Sequence, residues 1–351
     1  MHCDRGNVYS CSGSPMINLS VLIASHNGAN VLPKVLEGYV QSAKNETNWQ
    51  LIIVDNCSDD STSKLIEKYQ PLLPIIHLHE PRPGKNVALN TGLRHVAGDF
   101  VVISDDDAIP EPGFIDAWRT AAETQSDIDV FGGTIRPEFE VLPPEWMLEG
   151  ELKFEELYAQ RKNLAAGRIA PSGIFGPNMA VRRRVFAAGI RFNEDIGPNH
   201  NIKQYSMGSE TEFCEHAAAC GFTTGFNPLP EVRHIVRAHQ VSPEFWSARA
   251  YRLGRGVAKR EQLLGRNAPK HFGKARRLGR AYLGNLKLTN LKHTTPASHP
   301  ARNFLAEWDY NFQRGYISEL MALNANQPKH VHSKLQLLNR FVSTLRASKL
   351  F

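Results

Sequence analysis

The chain has 351 residues, 42% of them hydrophobic and 22% charged, enough apolar material for one large domain with an extension. Its net charge of +6 hides a split, with 20 Lys and Arg against 4 Asp and Glu from Trp246 onward, and 21 against 31 before it. It reads as a soluble globular protein with an acidic body and a basic tail. With no run of about 18 uncharged apolar residues and no apolar core in "MHCDRGNVYSCSGSPMINL", neither a membrane span nor a secretion signal is expected.

Residues 1–17 read as a flexible N-terminus. From Leu19 to Asp107 short apolar runs alternate with helix-like segments, the pattern of successive βαβ units and a mainly parallel sheet. "LSVLIASHN" is the first strand, and "GANVLPKVLEGYVQSA" places Val31, Leu32, Val35, Leu36 and Tyr39 at helical spacing. "WQLIIVDNCSDDST" gives a second strand, a turn and a helix start, and "PIIHLHE" a third strand. "GKNVALNTGLRHVAG" reads as a helix closed by Gly98 in a left-handed cap, followed by "DFVVIS" as the fourth strand, which Pro110 and Pro112 terminate. Further on, "FGGTIRP" predicts a strand, "LPPEWMLEGELKFEELYAQRKNL" a Pro-opened helical stretch, and "GPNMAVRRRVFAAGIRF" a strand and a short helix. "MGSETEFCEHAAACGFTTGF" predicts a helix with Ser209 and Glu212 in capping-box spacing and Gly221 at its end. Beyond Pro243 the chain reads as helical and Arg-rich.

Three of these strands end in polar residues: Ser25-His26-Asn27, Asp55-Asn56, and Ser104-Asp105-Asp106-Asp107. In an open parallel sheet the carboxyl ends of the strands form the ligand crevice, so the three clusters are expected along one rim. Three successive carboxylates repel one another, and hard oxygen ligands suit Mg2+ or Mn2+, so the triple Asp predicts a divalent-cation site. A solvated loop is the plain alternative. Asp55 and Asn56 could read a nucleobase edge or a ribose hydroxyl, or simply form an Asx turn. "PRPGKN" offers Arg82 and Lys85 ahead of a helix, a place for phosphate. Neither a G-x-x-x-x-G-K-[ST] loop nor a G-x-G-x-x-G turn is present, which argues against a P-loop NTPase and a nicotinamide dehydrogenase. Glu210 opens a helix without a capping assignment and is a candidate general base, and His234 and His239 are candidate site histidines. The five cysteines (Cys3, Cys11, Cys57, Cys214, Cys220) show no C-x-x-C pair, so a reducing cytoplasm fits better than a disulfide framework or zinc knuckle.

The order of these motifs resembles the family 2 inverting glycosyltransferases of GT-A fold, over roughly residues 18–241. "LSVLIASHNGANVLPKVLEGY" is similar to that family's first strand and helix, "IIVDNCSDDST" to its nucleotide-binding turn, and "GKNVALNTGLRHVAGDFVVISDDDAIPEPGF" to the stretch ending in its DXD motif. "GPNMAVRRRVFAAGIRFNEDIG", "GSETEFCEHAAACGF" and "PEVRHIV" resemble its acceptor-side helix, base-bearing helix and late histidine. The resemblance implies an α/β Rossmann-like, mainly parallel sheet flanked by helices. It also implies a GT-A domain at 18–242, with a nucleotide-sugar half at about 18–110 and an acceptor half at about 111–242. A basic helical C-terminal region, 243–351, lies outside it. The implied donor site comprises Ala24, Asn27, Asp55, Asn56, Lys85, Asn90, Asp105 and Asp106; the implied metal ligands are Asp105, Asp107 and His234, with His239 second to His234. The implied base is Glu210, with Ser209 where the family has Glu, and Glu212 as the competing choice.

The expected function is metal-dependent inverting transfer from a nucleotide sugar to a saccharide or lipid-linked acceptor, using Mn2+ or Mg2+, in polysaccharide or glycolipid synthesis at the cytoplasmic side of a membrane. A sugar-phosphate nucleotidyltransferase and a non-catalytic nucleotide-sugar-binding scaffold are the alternatives. Glycoside hydrolysis would leave the triple Asp unexplained. "RAYRLGRGVAKREQLLGR" and "KHFGKARRLGRAYLGNLKL" could present basic faces to an anionic membrane, or the first could cover the acceptor site. Nucleic acid is disfavoured, because no base-reading motif accompanies the charge.

Overall fold

The computed structural model describes residues 19–42, 46–265 and 300–325. The expected N-terminal tail and the second basic stretch, "KHFGKARRLGRAYLGNLKL", lie outside them.

The opening half is built as alternating strands and helices. β1 (Leu19–Ser25), β2 (Trp49–Asp55), β3 (Ile75–His79) and β4 (Phe100–Asp105) are parallel, in the order β3-β2-β1-β4. All seven β2 residues are buried, as expected for a strand covered on both faces. Between these strands run α1 (Leu32–Ser42), α2 (Thr62–Tyr69) and α3 (Lys85–Gly92). In β1 the alternation of side chains sends Leu19, Val21 and Ile23 to one core with Leu32, Val35 and Tyr39 of α1. Leu22 faces a second core with Ala88 and Leu89 of α3.

The sheet then continues in mixed sense. After β4 the chain turns at Asp106 and Asp107 and re-enters the sheet as β5 (Ala108–Pro110), antiparallel to a late strand, β9 (Thr224–Val236). The prolines therefore do not terminate the fourth strand: β4 stops at Asp105, and Pro110 ends β5 at the sheet edge, where its missing N–H costs nothing. α4 (Phe114–Thr124), β6 (Val130–Phe139), α5 (Glu145–Leu148), α6 (Phe154–Tyr158), β7 (Gly167–Arg168), β8 (Asn178–Arg182), α7 (Arg183–Ala187) and α8 (Ser209–Ala219) precede β9. The full order is β3-β2-β1-β4-β8-β6-β9-β5, with β7 on β9. β8 runs antiparallel to β4 and β6, whereas β6 and β9 are parallel.

Two long helices, α9 (Pro243–Leu263) and α10 (Pro300–Ala325), pack together. Ser242 caps α9 by accepting the Phe245 N–H at 3.2 Å, with Pro243 in its first turn. Trp246, Phe304 and Trp308 from the pair meet Met147, Phe154 and Tyr158 of α5 and α6 in a third, aromatic core. No helix among the described residues is long and apolar enough to cross a membrane.

Local signals misplace three features. The helix expected to run to Gly98 ends at Gly92 and passes into a single 3-10 turn, Leu93–His95. Gly98 does not adopt a left-handed conformation; its N–H donates to Ser20 Oγ at 2.9 Å, close against β1. The capping box at Ser209 and Glu212 does not form, because left-handed Gly208 (φ 100°) is the cap and Ser209 is already helical. The helical stretch expected at residues 142–164 is two short helices with a left-handed residue on each side of α6, Lys153 and Ala159.

Candidate active site

The carboxyl ends of β1, β2 and β4 open on one cavity of about 340 Å3. Its walls include Ala24, His26, Asn56, Lys85, Asp105, Asp106 and Asp107, with Asn199, His200 and Tyr205 opposite. Parallel pairing in register brings Ser25 beside Asp55 and Ala24 beside Asp105, which is how one rim collects residues far apart in sequence.

Each Asp of the triple has its own partner. Lys85 Nζ, at the start of α3, lies 2.6 Å from Asp105 Oδ1. Ser25 Oγ donates to Asp106 Oδ2 at 2.6 Å. His234 Nε2, delivered by β9 across from β5, lies 3.3 Å from Asp107 Oδ1. The electrostatic environments diverge accordingly. Burial, with Asp107 alongside, pushes the Asp106 carboxyl up to about 7 against the Ser25 hydrogen bond. Burial also raises Asp105 despite Lys85. At Asp107 burial is outweighed by His234 and Arg237, and its carboxyl is held below the usual range. Lys85, His234 and Arg237 thus answer the repulsion from within the chain, so that repulsion alone does not call for a divalent ion.

The donor set tests the ion differently. Asp105, Asp107 and His234 each offer a ligand atom, and these atoms lie within 4.8 Å of one another. His234 Nδ1 sits 2.9 Å from the Tyr158 carbonyl oxygen. An Nδ1–H donated there leaves Nε2 as the coordinating nitrogen, a common arrangement at metal sites. Two carboxylates and an oriented imidazole form a donor set that could hold a divalent metal ion.

Glu210, in the first turn of α8, meets this cluster through Lys85, whose Nζ donates to Glu210 Oε1 at 3.0 Å. One ammonium therefore joins the triple Asp to the proposed base. Burial opposes ionisation of Glu210, but Lys85 prevails and holds its carboxyl below the usual range. Glu212 differs: burial raises its carboxyl, and the charges acting on it are His216, Arg260 and Glu215 instead of Lys85.

The remaining expected residues divide. Asn56 lines the cavity, but its amide is already engaged: Nδ2 donates to the Glu80 and Arg82 carbonyls at 3.0 and 2.7 Å, and Oδ1 accepts the Gly84 N–H at 2.8 Å. Asp55 accepts from Ser58 N–H and Ser63 Oγ. The turn-forming role weighed for this pair is thus present, and free amide edges for reading a base are not. Asn27 accepts the Asp59 N–H, and Asn90 binds the backbone of Phe192; neither lines the cavity. His239 is exposed against Phe245, away from the acidic cluster. Sequence reasoning missed His200 and Tyr205, which come from the irregular 197–206 segment; His200 stacks on His26 with ring centroids 4.3 Å apart. Their types alone gave no periodic or spacing signal.

Residues 20–189 match the family model described as glycosyl transferase family 2, and that segment is a family 2 glycosyltransferase domain. The chain is 26% identical over 208 residues to the succinoglycan biosynthesis protein ExoM of Rhizobium meliloti (strain 1021), covering 58% of this chain and 62% of that protein. It is 28% identical over 118 residues to the poly(ribitol-phosphate) beta-N-acetylglucosaminyltransferase TarS of Staphylococcus aureus (strain Mu50 / ATCC 700699), covering 32% of this chain and 20% of TarS. The chain thus spans less than two thirds of the length of these relatives. Among solved structures it is similar, with a TM-score of 0.49 and 17% identity, to the mannosyltransferase PcManGT from Pyrobaculum calidifontis in complex with GDP-Man and Mn2+, covering 95% of this chain and 81% of that one.

Proposed function

We propose that the protein transfers a sugar from a nucleotide-sugar donor to an acceptor hydroxyl with inversion, in the assembly of a polysaccharide or glycolipid. The observation that carries this is Lys85, which lines the cavity beside Asp105 and bonds Glu210 behind it, and so ties a metal-type donor set to a half-buried, ionised carboxylate. The relatives support the same class: ExoM is a succinoglycan biosynthesis protein and TarS a poly(ribitol-phosphate) beta-N-acetylglucosaminyltransferase.

In this reading Glu210 accepts the acceptor's hydroxyl proton as its oxygen forms a bond to the anomeric carbon and the bond from that carbon to the diphosphate oxygen breaks. Lys85 keeps Glu210 deprotonated before the acceptor arrives. Asp105, Asp107 and His234 would hold Mn2+ or Mg2+, which supplies positive charge to the departing diphosphate. Asn56 acts by bracing the 80–84 loop, which sets the start of α3 and hence Lys85. Inversion in one displacement needs no protein nucleophile.

The test is a thermal-shift screen of nucleoside diphosphates with and without Mn2+, followed by turnover of the matching sugar nucleotides. One nucleotide should raise the melting temperature only with metal, EDTA should abolish the shift, and turnover should release nucleoside diphosphate. Release of pyrophosphate from a nucleoside triphosphate and a sugar phosphate would instead identify a nucleotidyltransferase. Binding without turnover of any sugar nucleotide would identify a scaffold.

A further inference from the structure

Helix α9 treats its arginines in two ways. Toward its C-terminal end Arg255 pairs with Glu319 at 2.6 Å, and Arg260 lies 3.7 Å from Glu215. Earlier on the helix, Arg249 and Arg252 form no ion pair among the described residues. Arg249 Nε donates to the Glu156 carbonyl at 2.6 Å. The Arg252 guanidinium lies 5.1 Å from the Tyr205 ring centre and 5.9 Å from that of Phe245, and its buried Nε has no hydrogen-bond partner. Tyr205 lines the cavity.

A guanidinium cannot escape burial by losing its proton, so a half-enclosed pair of like charges with no carboxylate in ion-pair contact is costly until an anion arrives. Burial depresses Arg249, and the acidic groups it faces are Tyr205, Glu210 and Tyr158, with Arg252 as a like charge. Arg237, by contrast, faces Asp106 and Asp107 on the metal-ligand side. The unpaired arginines therefore sit on the Glu210 side of the site, behind the cavity-lining Tyr205. Their planar forks match phosphate or carboxylate oxygens two at a time.

We propose that Arg249 and Arg252, with Tyr205 as their shared neighbour, form a subsite for an anionic group carried by the acceptor beside the hydroxyl that Glu210 deprotonates. This rests on the assignment of Glu210 as the base. The anion is a phosphate or a carboxylate, and two probes separate them.

Calorimetric titrations of the full chain would use glycerol 3-phosphate and glucuronic acid, with glycerol and glucose as neutral controls. Each would be run with and without Mn2+ and the nucleoside diphosphate found in the thermal-shift screen. One anionic probe is expected to bind with the nucleotide site filled, and about tenfold or more weakly to Arg252→Gln, whereas the neutral probes do not bind. The probe that binds identifies the group. Arg252→Lys should recover part of the affinity, and unchanged melting temperatures would show that the loss is not unfolding. Competition between the anionic probe and the nucleoside diphosphate would overturn the proposal by assigning the arginines to the donor. Equal affinity in the wild type and Arg252→Gln, or no binding of either probe, would also overturn it. If no nucleoside diphosphate binds at all, the donor reading fails on its own, while the nucleotide-free titrations still report on Arg252.

Discussion

Lys85 is the residue through which the site's charges communicate. Its ammonium lies within 3.0 Å of both Asp105 and Glu210, and removing it would leave two half-buried carboxylates facing each other. Lys85→Met should therefore raise the Glu210 carboxyl. The acidic limb of the pH–rate profile should move to higher pH, with a rate loss at neutral pH of about 100-fold or more. An unmoved limb would mean that Lys85 does not hold Glu210 ionised. The acidic residues were legible in the sequence because they follow an apolar strand or open a helix. Lys85 was legible only as a cation before a helix: its approach to Glu210, 125 positions away, depends on the Lys85 N–H donating to the Pro198 carbonyl, and no local pattern encodes that. The partners of the triple Asp were hidden for the same reason: Lys85, Ser25 and His234 reach it from elements that no local pattern places beside β4.

At the scale of elements, the loop from β3 to α3 and the start of α8 set the two halves of the site. Glu80 anchors the loop: its carboxylate takes hydrogen bonds from the Arg82 N–H, the Arg82 guanidinium and Thr91 Oγ1. Burial opposes its ionisation, but Arg82 and Thr91 lower it to about 2. A depressed folded-state value stabilises the fold fully above the unfolded value, near 4.5, and that stability is lost as pH falls toward about 2. Glu80→Gln should thus cost about 2 kcal/mol at pH 7, and denaturant melts should show the difference from wild type shrinking between pH 5 and about 3. At the other half, a Cβ on Gly256 of α9 would overlap the Met207 carbonyl, next to the left-handed Gly208 that starts α8. Gly256→Ala should lower stability by about 1–3 kcal/mol and reduce turnover, because α8 carries Glu210; unchanged melting and turnover would contradict this coupling. The alternating strands and helices to β4 were readable from period and turn residues. The re-entry of β5 was not, because a three-residue strand held by the distant β9 leaves no periodic trace.

For the whole molecule, the described part of the basic tail reads differently once folded. Arg255 of the first amphipathic stretch pairs with Glu319 of α10, and Lys259 and Arg260 bind the Asp195 carbonyl and Glu215, so these cations tie α9 to α10 and to the body. Covering the Glu210 side of the site, the other reading of that stretch, accords with the Met207 N–H donating to the Arg252 carbonyl. One mixed sheet joins the acidic cluster on β4 to His234 on β9, while α8 carries Glu210 and α9 the unpaired arginines. In the proposed function Glu210 deprotonates an acceptor while the sheet rim holds the donor. Its most direct test is Glu210→Gln, assayed both for nucleoside diphosphate affinity with Mn2+ and for release of nucleoside diphosphate from the sugar nucleotide with acceptor present. The account predicts affinity within about twofold of wild type and a rate at least about 100-fold lower. A variant that turns over at the wild-type rate would contradict it.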